Sequence, residues 1–105
     1  IRSYQDVSDT VDWLAFLINN DFEYKTINVG SDNAISILNL AKKIKKVLKS
    51  EAEIKIENNI FPDHNSRRRN YVPNLKRAYE IGLSQKVNLE DSIIRLSSRI
   101  NNIKN

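Results

Sequence analysis

The chain has no cysteine and no methionine, and only two glycines, two prolines and one histidine among 105 residues. Without cysteine there is no disulfide framework and no thiolate zinc site, a usage that fits a cytoplasmic protein. With His64 alone, no histidine pair can hold a metal or build a catalytic relay. A chain that lacks methionine and starts at Ile1-Arg2-Ser3-Tyr4 reads as part of a longer gene product. No apolar run approaches the roughly 18 residues of a membrane-spanning helix, so no membrane partner is expected. The first residues also lack the basic, apolar and small-residue order of a signal peptide. Neither G-x-G-x-x-G nor G-x-x-x-x-G-K-[ST] occurs. Four residues after Tyr4, Tyr24, Tyr71 and Tyr79 stand Ser8, Asn28, Leu75 and Leu83, so there is no Tyr-x-x-x-Lys pair. No catalytic residue, metal ligand or cofactor-binding motif is therefore assigned within this chain.

What is present supports one small domain or part of one. Seventeen basic and 13 acidic residues give a net charge of +4, which permits an anionic partner without requiring one. Val7, Val11, Leu14, Ala15 and Ile18 recur at helical spacing and predict a helix over roughly 8–20, with Trp13 and Phe16 widening the apolar stripe. Ser8 or Asp6 is its expected cap. Tyr24 to Val29 is β-branched and aromatic and predicts a strand, ended by the turn cluster Gly30-Ser31-Asp32-Asn33. Ser36 is placed to cap a second helix whose apolar face is Ile37, Leu40, Ala41, Ile44, Val47 and Leu48. Ala52 to Glu57 alternates as a half-buried strand does. Asn58 to Asn70 reads as a loop. Asn74 is placed to cap a short helix through Ile81, with Gly82 in the left-handed position beyond it and Leu83 as the apolar residue after that. Asn88 caps the last helix, with Glu90 and Asp91 in its first turn. Leu89, Ile93, Leu96, Ile100 and Ile103 form its stripe. The order is helix, strand, helix, strand, loop, helix, helix: a helix-rich mixed α/β piece with about four helices and a small sheet.

Three groups of charge invite a functional reading. Asp6, Asp9 and Asp12 share one side of a helix and resemble a metal cluster, but capping and first-turn charge explain them more simply. Lys42, Lys43, Lys45, Lys46 and Lys49 could meet nucleic acid. No aromatic is interleaved to stack on a base, so a solvated face is the better reading. Arg67-Arg68-Arg69 is harder to set aside. Adjacent arginines in an irregular segment repel one another, and each offers a planar fork suited to phosphate. Tyr71 follows closely. A solvated basic loop is the bland alternative, as a surface ion pair is for Arg2.

Four segments in series resemble the C-terminal part of the NAD-dependent epimerases and dehydratases of nucleotide sugars, the extended short-chain dehydrogenases. Arg2-Ser3-Tyr4-Gln5-Asp6-Val7-Ser8-Asp9-Thr10-Val11 is similar to their R-[DS]-[FY]-x-x-V-x-D-x-V. Ile27-Asn28-Val29-Gly30-Ser31, with Ile35-Ser36-Ile37 and Leu40-Ala41, is similar to their Y-N-V-G-S-x-x-x-[IV]-S-[IL]-x-x-L-A. Arg69-Asn70-Tyr71-Val72-Pro73-Asn74, with Ala78 and Ile81-Gly82-Leu83, follows their R-x-Y-x-x-D-x-x-K-A-x-x-x-L-G-[LW]. Val87-Asn88-Leu89-Glu90-Asp91-Ser92-Ile93 follows the start of their last helix. The resemblance covers nearly the whole chain and is specific for the superfamily rather than for one enzyme.

The resemblance implies that residues 1–105 are a C-terminal substrate-binding domain. Residues 1–30 would pack on or extend an N-terminal Rossmann domain that holds NAD and the catalytic pair. It implies a nucleoside-diphosphate sugar as substrate, with Arg2, Arg69, Arg68 and Arg67 as diphosphate-binding candidates and Tyr71 near the nucleotide. The parent would act by transient hydride transfer at a sugar carbon, and this chain alone would be inactive. The family's Arg-Pro-Gly-Asp lead-in is replaced here by Phe61-Pro62-Asp63-His64, so that arginine is lost and Arg67 or Arg68 is left to replace it. An exposed edge on the 24–29 strand leaves room for a homodimer. A basic nucleic-acid-binding module and a protein-interaction module are the alternatives.

Overall fold

The computed structural model describes residues 1–24, 26–57 and 70–104. Among them are four helices: α1 Val7–Asn19, α2 Ile37–Val47, α3 Lys76–Glu80 and α4 Leu89–Lys104. Local chemistry fixes where they start. Asp6 Oδ1 accepts the Ser8 N–H at 2.9 Å and the Ser8 hydroxyl at 2.6 Å. Ser36 Oγ accepts the Asn39 N–H at 3.1 Å, and Asn88 Oδ1 accepts the Asp91 N–H at 2.8 Å. Each bond satisfies a donor that has no partner inside its helix. Asn74 does the same for Lys76 at 3.0 Å, although Leu75 occupies the cap position of α3.

Two helix ends close in the same way. Beyond α3, the Gly82 N–H reaches the Tyr79 carbonyl and the Leu83 N–H reaches the Ala78 carbonyl, both at 3.1 Å. Gly82 takes φ +97°, and Leu83 drops into the core as the sequence predicts. Beyond α2, the Lys49 N–H reaches the Lys46 carbonyl and the Ser50 N–H reaches the Lys45 carbonyl. Here the left-handed residue is Lys49, at φ +53°. A side chain with a Cβ costs about 1 kcal/mol or more in that conformation. Lys49→Gly is therefore expected to raise unfolding stability by about 1 kcal/mol, and Gly82→Ala to lower it by a similar amount. Urea denaturation of the two variants checks both signs.

The predicted small sheet is corrected. Among the described residues the β contact is a single antiparallel bridge between Arg2 and Ile35, and no strand ladder forms among those of 26–29 or 52–57. A strand is completed by a partner's hydrogen bonds, and alternation alone does not supply one. Ile27 and Val29 instead lean against the core, while residues 51–57 are exposed throughout.

That core is small. Trp13, Leu75, Ala78 and Leu83 are buried, with Leu17, Ile27, Val29 and Ile81 packed around them. The Trp13 indole lies edge-on to Tyr79, ring centroids 6.3 Å apart, and its N–H donates to the Ser84 carbonyl at 3.0 Å. Trp13 thus sets the rotation of α1, and the apolar stripe read from the sequence faces outward. Val7 and Val11 are each 58% exposed, Leu14 46% and Ile18 82%. α2 packs on α4, and Lys43 of the lysine-rich face reaches across to Glu90 at 2.5 Å, holding that carboxyl below its ordinary range. Both side chains are partly exposed, so water screens the pair and it adds little to stability. The radius of gyration is 16.8 Å, against about 13 Å for a closely packed domain of this length.

Candidate functional site

The first two residues are stitched into the fold from two sides. Arg2 and Ile35 exchange backbone hydrogen bonds of 2.9 and 2.8 Å, which seats Arg2 just ahead of α2. From the other side, the Tyr71 N–H donates to the Ile1 carbonyl at 2.9 Å, and the Ile1 nitrogen donates to Asn70 Oδ1 at 3.3 Å. The Arg2 guanidinium donates to the same Ile1 carbonyl at 3.0 Å. One oxygen therefore links the head of Arg2 to the backbone of Tyr71, a residue far away in sequence. Arg2 is half-buried and Tyr71 is 64% exposed. The structure brings together two sequence-nominated residues, Arg2 and Tyr71. Arg67, Arg68, Arg69 and His64 lie outside the described residues; Asn70, at the clasp, directly follows Arg69 in the sequence.

Next to this clasp a polar chain braces the Gly30 turn. Gln85 Nε2 donates to the Gly30 carbonyl at 2.6 Å, Gln5 Nε2 donates to Gln85 Oε1 at 3.1 Å, and the Thr10 hydroxyl donates to Gln5 Oε1 at 2.7 Å. Ser31 is buried, and its Oγ accepts the Asn33 N–H at 3.2 Å. A cleft of about 240 Å³ opens beside them, lined among others by Tyr4, Ser31, Asn33, Lys86 and Asn88. Sequence reading missed Gln5 and Gln85, whose pairing across 80 positions leaves no local signature.

A second cleft, of about 300 Å³, is lined by Thr26, Asn28, Asn74, Lys76 and Arg77. Of its two cations, Arg77 is already engaged: it donates to the Thr26 carbonyl at 3.1 Å and lies 4.9 Å over the Tyr24 ring. The Tyr24 hydroxyl in turn donates to Glu80, and that carboxylate pushes the Tyr24 pKa up. The lysine face carries mixed charge, since Lys42, Lys45, Lys46 and Lys49 share their cleft with Glu53.

The three aspartates of α1 do not converge, and no acidic or histidine cluster suited to a metal exists among the described residues. Asp12 is exposed. Asp9 is 1% exposed and accepts the Lys86 N–H at 3.2 and 3.3 Å and the Val87 N–H at 3.0 Å. First-turn charge is thus not its main role: it ties α1 to the segment entering α4. Asp6 is the true cap. Hydrogen bonds from Ser8 and Ser92, aided by Arg95, lower its pKa from 3.8 to about 2. A carboxyl depressed on folding stabilises the fold above its unfolded pKa and loses that contribution as pH falls through the folded one. Stability is expected to drop by up to about 2 kcal/mol between pH 4 and pH 2. Asp6→Asn, which still caps, is expected to flatten that limb in chemical denaturation at stepped pH.

No family model and no solved structure matches the chain. Two curated proteins do. The chain is 30% identical over 102 residues to UDP-glucuronic acid decarboxylase 1 of Arabidopsis thaliana, covering 96% of this chain and 22% of that protein. It is 32% identical over 93 residues to UDP-glucuronic acid decarboxylase 6 of the same plant, covering 88% and 26%. The similarity runs almost end to end here, yet the chain spans only about a quarter of the length of these relatives.

Proposed function

We propose that this chain is the nucleotide-sugar-binding portion of an NAD-dependent enzyme of the epimerase and dehydratase class. In this reading Arg2 and the Arg67–Arg69 run neutralise the substrate's diphosphate, and Tyr71 lies beside the nucleotide. The observation that carries it is the clasp at Ile1. It sets Arg2 against Tyr71 in a chain similar, over nearly all its length, to two proteins named for their action on UDP-glucuronic acid. Arginine suits the task because its planar fork meets two phosphate oxygens at once. Binding energy gained at the diphosphate, away from the reacting sugar carbon, can position that carbon for chemistry performed elsewhere.

Among the described residues we find no cradle for the NAD phosphates. Gly30 lies against Pro73 with its carbonyl bonded to Gln85, and Gly82 ends a helix, so neither glycine forms a phosphate cradle. No step of hydride transfer is assigned here, and the chain alone is expected to be inactive. The outward stripe Val7, Val11, Leu14 and Ile18, with the unladdered segment 26–29, is the surface we assign to contact with a cofactor-binding domain.

Arg2→Ala and Arg69→Ala are each expected to weaken UDP binding by about tenfold or more, read by titration calorimetry at fixed salt. If both variants bind UDP as tightly as the parent chain, the assignment is wrong.

A further inference from the structure

We infer that α2 and the segment after it form an interface for a second copy of this chain. Lys42, Lys45 and Lys46 share one stripe of α2, and Lys49 continues it just past the helix end. All four border one cleft of about 700 Å³. Like charges at helical spacing repel, and no acid relieves them among the described residues, where the ion pairs are Lys43–Glu90 and Arg95–Asp6. The chain reverses at Lys49 and Ser50 and runs on through residues 51–57, exposed throughout. There Glu51, Glu53 and Glu57 alternate with apolar residues and outnumber Lys55. Glu53 borders the same cleft as the lysines, yet none of them lies within ion-pair distance of it. One surface therefore carries an unpaired basic stripe beside an unpaired acidic row. Such a surface is complementary to itself. A two-fold turn lays the stripe of each copy on the row of the other, as an isologous interface requires. Ile54 and Ile56, 36% and 59% exposed, stand among the glutamates and give the contact an apolar centre. A nucleic acid would meet the lysines but be repelled by the glutamates, so a copy of the same chain fits this surface better. The contact uses neither Arg2 nor Tyr71 and stands apart from the diphosphate reading.

The test is sedimentation equilibrium of the 105-residue chain at low salt, up to about 1 mM. The parent chain is expected to dimerise, and about 0.5 M salt should weaken the dimer by screening. Lys42→Glu with Lys46→Glu reverses the stripe, and Glu53→Lys with Glu57→Lys reverses the row. These four side chains are exposed and make no bond among the described residues, so circular dichroism should keep the parent's helix content. Each doubly substituted chain is expected to lose at least about tenfold in dimer affinity, because the cross-interface pairs it alters become pairs of like charge. Mixed in equal amounts, the two should form a heterodimer, since the reversed stripe then meets the reversed row and the native stripe meets the native row. Neither should pair with the parent. A parent chain that stays monomeric, a dimer indifferent to both reversals, or reversed chains that fail to pair with each other would each overturn the interface.

Discussion

Trp13→Ala is expected to cost about 3–5 kcal/mol of folding stability. Trp13 is 2% exposed and is the largest of the four buried apolar side chains among the described residues. Its removal leaves a hole among Leu75, Ala78 and Leu83 and takes the hydrogen-bond donor from the Ser84 carbonyl. Domains of this size are stable by about 5–15 kcal/mol in total, so the variant should sit near the edge of unfolding. Ile18→Ser supplies the contrast from the same helix. At 82% exposure, Ile18 should tolerate the change within about 0.5 kcal/mol in this chain. Urea denaturation followed by far-ultraviolet circular dichroism suits both variants, since Trp13 is the chain's one tryptophan and its emission disappears with it. A costly Ile18→Ser beside a mild Trp13→Ala would mean that α1 is turned the other way.

Asp9→Ala is expected to cost about 2–4 kcal/mol. The carboxylate is buried and accepts from two consecutive backbone N–H groups, those of Lys86 and Val87. Hydrogen bonds to a charged acceptor contribute more than neutral ones, and alanine takes that acceptor from two donors at once. Asp9→Asn should recover only part of the loss, because the amide presents one acceptor oxygen and turns a donor toward the second N–H. Denaturation midpoints order the three proteins, and faster hydrogen exchange at amides 86 and 87 would place the damage. A variant as stable as the parent would remove Asp9 from the tie between α1 and α4.

The helices were legible in the sequence because their determinants are local. Asp6, Ser36 and Asn88 stand within three residues of the N–H groups they satisfy, and Gly82 stands where α3 must reverse. The facing of α1 was not legible. Periodicity reveals that Val7, Val11, Leu14 and Ile18 share a stripe, but it carries no information about what the stripe meets. The single large ring of Trp13, paired with Leu17 one turn on, decides the rotation in this chain. The strands failed for a related reason: Tyr24 to Val29 has strand composition, and the described residues offer it no ladder partner. Within the site, Arg2 and Tyr71 were reached through family resemblance. Their linkage through the Ile1 carbonyl could not be, since it joins positions about 70 residues apart by backbone atoms that every residue possesses.

The ties made by α1 also set an order of events as the chain is made. Asp9 and Trp13 find their polar partners at positions 84, 86 and 87, more than 70 residues downstream. At ribosomal rates of about 5–20 residues per second, α1 exists for roughly 4–14 s before those partners are synthesised. Through that interval its inner face lies bare, which is the condition under which a nascent helix recruits a chaperone or a neighbour. The shift in Trp13 emission then marks the moment at which this stretch of polypeptide closes on itself.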